Sequence, residues 1–259
     1  MMKRVKTAVS FVLAMTVLLS AAASACGKES KSGTLKVGVR DDVMNLGYLN
    51  PTTGQYYGME IDLARLLAED LGYAEAEFVT VKPDTRKDML LNGDVDCLIA
   101  AYSISETRLE NFDFSPAYYS DYTRIMVEKT SMIGSIEELV GKKIGVLDGA
   151  NTAPELAQKM TGMGLITAED PKGTSLLKKG TYAELSQALE EGTADAVCMD
   201  GCIAIAYMND DRVFLEDTIY QEDYGVATQK DSKLSKPVAE SIQKMLDDGT
   251  IAKLIDKWD

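Results

Sequence analysis

Short β-rich runs alternate with helical patterns from residue 35 almost to the end of the chain. Residues 35–39 predict a strand, and 61–71 predict a helix in which Ala64, Leu67, Ala68 and Leu71 share one face and Gly72 is the stop. A second strand is predicted at 77–81, a short helix at 86–91 closed by Asn92-Gly93, and an apolar strand at 95–101. The order βαβαβ implies a parallel sheet with helices on both faces. The unit then repeats, with strands at 143–146, 175–178 and 196–199 and helices at 153–160 and 182–191. Even the joints correspond, Asn92-Gly93-Asp94-Val95-Asp96 in the first unit and Glu191-Gly192-Thr193-Ala194-Asp195 in the second. Two similar α/β lobes are therefore expected, each with a mostly parallel sheet. Residues 118–128 read as an extended crossing between them. A strand at 224–228 and helices at 233–246 and 251–257 read as a return, so lobe 1 is expected to hold 35–122 plus 226–259, and lobe 2 residues 123–225. Two crossings make a hinge with a cleft. Residues just after Val39, Ala101, Val146 and Met199 should face that cleft, because open α/β sheets bind ligands beyond the carboxyl ends of their strands.

The segment before residue 35 has a different character. Lys3, Arg4 and Lys6 precede an uncharged stretch from Thr7 to Gly27 with an apolar centre, the layout of a secretory signal. It ends in Ala23-Ser24-Ala25-Cys26-Gly27, which resembles a bacterial lipobox, so 1–25 is expected to be removed and Cys26 lipidated. The competing reading is an uncleaved membrane anchor, since roughly 18 apolar residues can span a bilayer. Both place the remainder outside the cytoplasm. Residues 26–34 carry the cysteine and a polar tether. Lipidation would hold the protein at the outer face of the cell membrane.

Composition narrows the chemistry. With 27 Lys plus Arg against 41 Asp plus Glu, the net charge of −14 becomes −17 once the three basic residues of the export segment are gone. Such a body does not suit nucleic acid, which is bound by neutralising phosphates. The chain has no histidine, which removes Ser-His-Asp and Cys-His catalysis and His-ligated metal sites. No cofactor, metal or catalytic residue is expected. Cys97, Cys198 and Cys202 allow at most one disulfide and read as small buried hydrophobes.

Three features at strand ends carry the candidate chemistry. Tyr102-Ser103-Ile104-Ser105-Glu106-Thr107-Arg108 brings an arginine, whose planar fork matches a carboxylate, although an arginine beside Glu106 and Glu110 also reads as a solvated ion pair. Asn151 and Thr152 open a helix in which Thr152 and Glu155 have the spacing of a capping box with Pro154 in the first turn. A helix start offers N–H groups to an anion, or is a plain cap. Asp200, ahead of Gly201-Cys202, could cap the next helix or bind an ammonium. An arginine fork and a helix start facing an aspartate is what an α-amino acid requires.

Over nearly the whole mature chain the sequence resembles the solute-binding proteins of polar amino acid ABC transporters, which have the type-2 periplasmic-binding fold. The matching segments include Gly58-Met59-Glu60-Ile61-Asp62-Leu63-Ala64, Leu90-Leu91-Asn92-Gly93-Asp94-Val95-Asp96, Phe112-Asp113-Phe114-Ser115-Pro116-Ala117-Tyr118-Tyr119, Gly141-Lys142-Lys143-Ile144-Gly145-Val146, and the stretch from Asp248-Gly249-Thr250 to Lys257-Trp258. The resemblance implies that Arg108 clamps an α-carboxylate with help from the backbone of Asn151 and Thr152, that Ser103, the Ala101 carbonyl and Asp200 hold the α-ammonium, and that the crossings near Tyr122 and Tyr224 are the hinge. Arg40, Arg86 and Tyr182 match positions that contact the side chain in aspartate- and glutamate-binding members, which makes an acidic ligand the first expectation and glutamine the second. Ala101 lacks a hydroxyl common in that group, and Val43 stands where an aromatic often stacks on the ligand. The implied partners are an amino acid, ABC permease subunits and, through the lipid, the membrane, with the protein a monomer. The competing readings are a dehydratase on the same fold, which needs a cleft acid able to protonate a leaving hydroxyl, and a surface adhesin or sensory ectodomain, against which stands the lack of a second span or signalling domain after Asp259.

Overall fold

The computed structural model of the chain describes residues 32–259. The export segment, Cys26 and most of the tether lie outside the described residues. The first lobe opens with β1 (Thr34–Val39), α1 (Met59–Asp70), β2 (Glu75–Thr80), α2 (Arg86–Asn92), β3 (Cys97–Leu98) and β4 (Phe112–Phe114). The strand β5 (Tyr119–Glu128) crosses to the second lobe, built from β6 (Lys143–Leu147), α3 (Thr152–Gly162), β7 (Ser175–Lys179), α4 (Tyr182–Glu190) and β8 (Ala196–Asp200). The strand β9 (Arg212–Tyr224) returns, and β10 (Ala227–Gln229), α5 (Ser235–Asp247) and α6 (Thr250–Trp258) complete the first lobe.

The two five-stranded sheets run β2-β1-β3-β10-β4 and β7-β6-β8-β5-β9. In each, the three strands of the βαβαβ unit are parallel. The strands that belong to the crossings join antiparallel, β10 to β3 and β4, and β5 to β8 and β9. Each sheet is thus mixed.

The same joint pins both lobes. Asp96 Oδ2 accepts from the Lys36 N–H at 2.8 Å, and Asp195 Oδ2 accepts from the Lys143 N–H at 2.7 Å. In return Asp96 N donates to Lys36 O and Asp195 N to Lys143 O. Gly93 and Gly192 ahead of them have φ of 77° and 67°, left-handed positions that end a helix where a Cβ would be strained. The glycines of the strands have close neighbours: a Cβ on Gly38 would meet Leu98 Cδ2 of the adjacent strand at 2.6 Å, and one on Gly145 would meet Leu185 Cδ2 of α4 at 2.9 Å. Leu35, Val37, Leu63 and Leu67 form the core of the first lobe, and Ile144, Val146, Leu156 and Met160 that of the second.

The structure departs from the sequence pattern at two places. Of the strand expected at 95–101 only Cys97–Leu98 stays in the ladder, because the chain turns at Ala101, whose φ is 46°. The strand expected at 224–228 divides, with β9 ending at Tyr224 and β10 beginning at Ala227. Cys97, Cys198 and Cys202 are all free thiols, and burial pushes each of them up, so they pack as small hydrophobes.

Candidate functional site

Arg108 lies in a single helical turn, Glu106–Leu109, and is almost wholly buried. Its Nη1 donates to Ser103 O at 2.8 Å and its guanidinium stacks 4.1 Å above the Tyr102 ring. The loop that carries it is stitched to the return strand, since Ile104 N donates to Asp223 O and Ser103 bridges Tyr224. From the second lobe Asp200 comes at the end of β8. It precedes the turn Gly201–Ala204 without capping it through its side chain, and its Oδ2 accepts from the Tyr224 hydroxyl at 2.5 Å. Asn151 is the N-cap residue of α3 and, with Arg108, Pro83, Tyr102 and Gly149, lines an interlobe cavity of about 430 Å³.

The capping box expected from Thr152 and Glu155 is absent: no side chain caps α3, and the buried Thr152 Oγ1 has no hydrogen-bond partner. Glu155 turns instead toward Glu222 on β9. The capping box of this lobe is at α4, where Thr181 Oγ1 accepts from Glu184 N and Glu184 Oε2 accepts from Thr181 N.

Glu155, Glu222 and Asp200 form a group of carboxyls facing Arg108. Burial, and then Glu222, push Asp200 up to about 7. Burial, and then Glu222 and Asp200, push Glu155 up to about 9. Burial lowers the Arg108 guanidinium, while Tyr102 and the three carboxyls act to raise it. The arginine and the carboxyls are thus held in poor solvent with one another as partners, the setting in which an added carboxylate and ammonium gain most.

Arg40, Arg86 and Tyr182 meet at the other end. Arg40 Nη2 pairs with Asp42, 2.7 Å from Oδ1, and its guanidinium lies 5.5 Å from the centre of the Tyr182 ring, a contact between lobes. Arg86 Nη1 donates to the carbonyls of Ala100 at 2.5 Å and Ala101 at 3.1 Å, and the guanidinium stacks on Tyr102. Burial, then Arg108 and Arg40, bring Arg86 down to about 9. Glu60 is fully enclosed, and its Oε1 accepts from Ala101 N at 2.7 Å and from the Tyr118 hydroxyl at 2.5 Å. Burial raises its carboxyl; those two hydrogen bonds, Arg40 and Arg86 act in the opposite direction. The sequence pattern did not mark Glu60, Glu155 or Glu222 as members of a buried charged group. Glu60 had a signal: it stands at the 60, 63, 64, 67 spacing of the apolar face of α1, where a charge needs a reason.

A larger cavity of about 560 Å³ opens beside the hinge, lined by Tyr119, Tyr122, Arg124, Cys202 and Trp258 among others. It contains none of the residues expected to bind. The buried Arg40, Arg86, Arg108 and Asp200 lie outside it, and buried charges of this kind are costly unless paired. Among the described residues no set of three His, Cys, Asp or Glu is placed to hold a metal ion.

Comparison with known proteins agrees with this architecture. The family described as bacterial extracellular solute-binding proteins, family 3, matches residues 35–259. The chain is 30% identical to the ABC transporter glutamine-binding protein GlnH of Bacillus subtilis (strain 168), over 99% of this chain and 97% of that protein. Among solved structures, an ancestral arginine-binding protein bound to arginine superposes with a TM-score of 0.77 at 31% identity, covering 88% of this chain and 99% of that one. The ancestral amino acid-binding protein AncCDT-1, a precursor of cyclohexadienyl dehydratase, superposes with a TM-score of 0.73 at 29% identity, covering 87% and 95%. With a family match over residues 35–259 and its paired α/β lobes, the chain belongs to the bacterial extracellular solute-binding proteins of family 3 and is an amino acid ABC transporter substrate-binding protein.

Proposed function

We propose that the chain takes up a polar α-amino acid (glutamate, aspartate or glutamine) in the interlobe cleft and delivers it to an ABC permease, working as a monomer anchored through a lipid on Cys26. Lobe 1 is 35–122 with 226–259 and lobe 2 is 123–225 in this reading. Arg108 takes the α-carboxylate together with the backbone N–H groups of Asn151 and Thr152, and Asp200 takes the α-ammonium beside Ser103 and Ala101. Arg40, Arg86 and Tyr182 surround the side chain. The observation that carries the reading is the buried arginine of one lobe facing the buried Asp200 of the other. Calorimetric titration of the wild-type protein against the twenty amino acids tests it. Saturable one-site binding of one or a few polar amino acids is expected; no binding of any would refute it.

One observation supports a second reading. Glu155, raised to about 9 by burial and then by Glu222 and Asp200, lies within electrostatic reach of Arg108, and a protonated carboxyl is what a dehydration needs for its leaving hydroxyl. The structural relative AncCDT-1 is a precursor of a dehydratase. Against it, the proton is shared with Glu222 and has a structural partner there. Turnover of a prephenate-like compound that is lost in Glu155→Gln would establish the enzyme reading.

A further inference from the structure

We propose that the cavity of about 560 Å³ beside the crossing strands is a second ligand site, that it takes an alkylammonium ion, and that its occupancy strengthens amino acid binding in the cleft. The site stands apart from the amino acid reading, and only the coupling rests on it. The cavity has walls on both lobes and on β5. Met44 of the first lobe, Ile205 of the second and Tyr122 of β5 line it, and they are 57%, 68% and 49% exposed. A flexible alkyl tail would cover these apolar side chains.

Charge and ring faces decide what the tail must carry. Tyr119, Tyr122 and Trp258 supply aromatic walls, and aromatic faces attract cations. Trp258 is held in place, because its Nε1 donates to Asp62 Oδ2 at 3.0 Å. Its ring already has one ammonium beside it, Lys257 Nζ at 5.0 Å from the ring centre, and that ammonium is paired with Asp62 at 2.6 Å. Asp121 and Asp259 also line the cavity, and among the described residues neither forms an ion pair. Asp121 commits Oδ2 to the Cys202 N–H at 2.6 Å. Arg124 is the cation in the lining, and its head is directed to residues outside the lining. The guanidinium stacks 4.4 Å from the centre of the Phe214 ring, Nη2 donates to Leu215 O at 3.4 Å, and Nε, which has no partner, is enclosed. An anionic head would meet two carboxylates, and a neutral one would leave their charge unused. A trimethylammonium head fits the carboxylates and the rings together.

The coupling follows from what the walls touch. The Tyr119 ring stacks on Tyr224, with centres 5.9 Å apart, and the Tyr224 hydroxyl donates to Asp200. Asp121 holds the N–H of Cys202, two residues on from Asp200. Arg40 of one lobe lies against the Tyr182 ring of the other, so the cavity as described belongs to the arrangement with the lobes in contact. A guest that fits it favours that arrangement, and the preference is reciprocal between the two ligands.

Trp258 is the only tryptophan of the chain, so its fluorescence reads the cavity directly. The test titrates wild type with hexyltrimethylammonium, hexanesulfonate and hexan-1-ol, which share one tail, and repeats the first titration on Asp121→Asn, whose amide oxygen still accepts from Cys202 N. The cation should change the fluorescence saturably and bind at least tenfold tighter than the sulfonate or the alcohol, and Asp121→Asn should weaken it at least threefold. A cation that does not saturate, that binds no tighter than the other two probes, or that binds Asp121→Asn as it binds wild type overturns the site. Saturating L-glutamine or L-glutamate should raise the affinity for the cation at least threefold. An amino acid that binds and leaves that affinity unchanged or lowers it overturns the coupling. Protein that binds the cation and no amino acid overturns the reading beneath the coupling and leaves the site standing. The comparison of the three probes needs no variant and decides the site if Asp121→Asn does not fold.

Discussion

Gly149 of the second lobe lies directly against Pro83 of the first: a Cβ on Gly149 would come within 2.5 Å of the Pro83 carbonyl carbon and oxygen. Its φ is 76°. The lobes meet there at a point that has room for glycine alone, at the rim of the cavity that holds Arg108 and Asn151.

Gly149→Ala should therefore weaken ligand binding at least tenfold, about 1.4 kcal/mol, by holding the lobes apart. Gly164 is the control, with φ of 71° and no atom within 4 Å of an added Cβ. Gly164→Ala carries the same left-handed strain, about 1 to 2 kcal/mol, without the contact. Calorimetry should show affinity lost in the first variant and kept in the second, while melting shows both destabilised. Equal affinities would remove the rim contact from the account.

Closure about the two crossing strands should be visible in solution. Ligand at 100 times its Kd should stabilise the fold by about 2.7 kcal/mol, and the radius of gyration from small-angle scattering should fall as the lobes come together. A ligand that raises Tm without compaction would count against hinge closure.

The pH dependence has opposite signs for binding and for stability. Asp200 holds an ammonium only when ionised, and burial and Glu222 place it at about 7. Affinity should rise from pH 6 to pH 8, with a proton released on binding because the ammonium keeps Asp200 ionised. For the ligand-free fold, a carboxyl raised above its unfolded value of about 3.9 adds stability that is complete below pH 4 and is lost as the pH rises through about 7. Glu155, at about 9, extends that loss to alkaline pH. Ligand-free Tm should fall between pH 5 and pH 9, and Glu155→Gln should flatten the upper part of the fall. Titrations at pH 6, 7 and 8 in two buffers of different ionisation enthalpy check the binding side; a flat affinity with no proton release would contradict it.

The lipid anchor is tested separately. Cys26→Ser should move the protein out of the detergent phase. A single acyl chain binds membranes only marginally, so a diacylglyceryl group is the expected species. Partitioning unchanged by the substitution would refute the anchor.

The repeated unit was legible because its signals are local. Asn92-Gly93 through Asp96 and Glu191-Gly192 through Asp195 recur as a motif, and in the fold each is a left-handed helix stop followed by an aspartate that pins a strand. Arg108 and Asp200 stand out in the sequence because one lies in the loop after an apolar strand and the other closes a strand. What the sequence hid is set by tertiary contact. The run 95–101 looks like a long strand until Glu60 and Arg86, 41 and 15 residues away from Ala101, take its N–H and carbonyl. Thr152 and Glu155 have the spacing of a capping box, yet Glu155 is drawn to Glu222, which reaches it only because the return strand passes α3. Arg40 and Arg86 read as side-chain cations; Asp42 stands only two residues from Arg40, whereas nothing local reveals that Glu60 lies beside Arg86 in space.

The central claim is that Arg108 and Asp200 hold the groups common to all α-amino acids. Removing Arg108 leaves a ligand carboxylate buried without its main partner, a cost of about 3 to 5 kcal/mol. The direct measurement is calorimetric titration of wild type and Arg108→Ala with L-glutamine and L-glutamate, after melting curves show both proteins folded. The account predicts that wild type binds at least one of the two and that Arg108→Ala loses every such affinity by at least a hundredfold. An Arg108→Ala protein that binds its amino acid within threefold of wild type would contradict it.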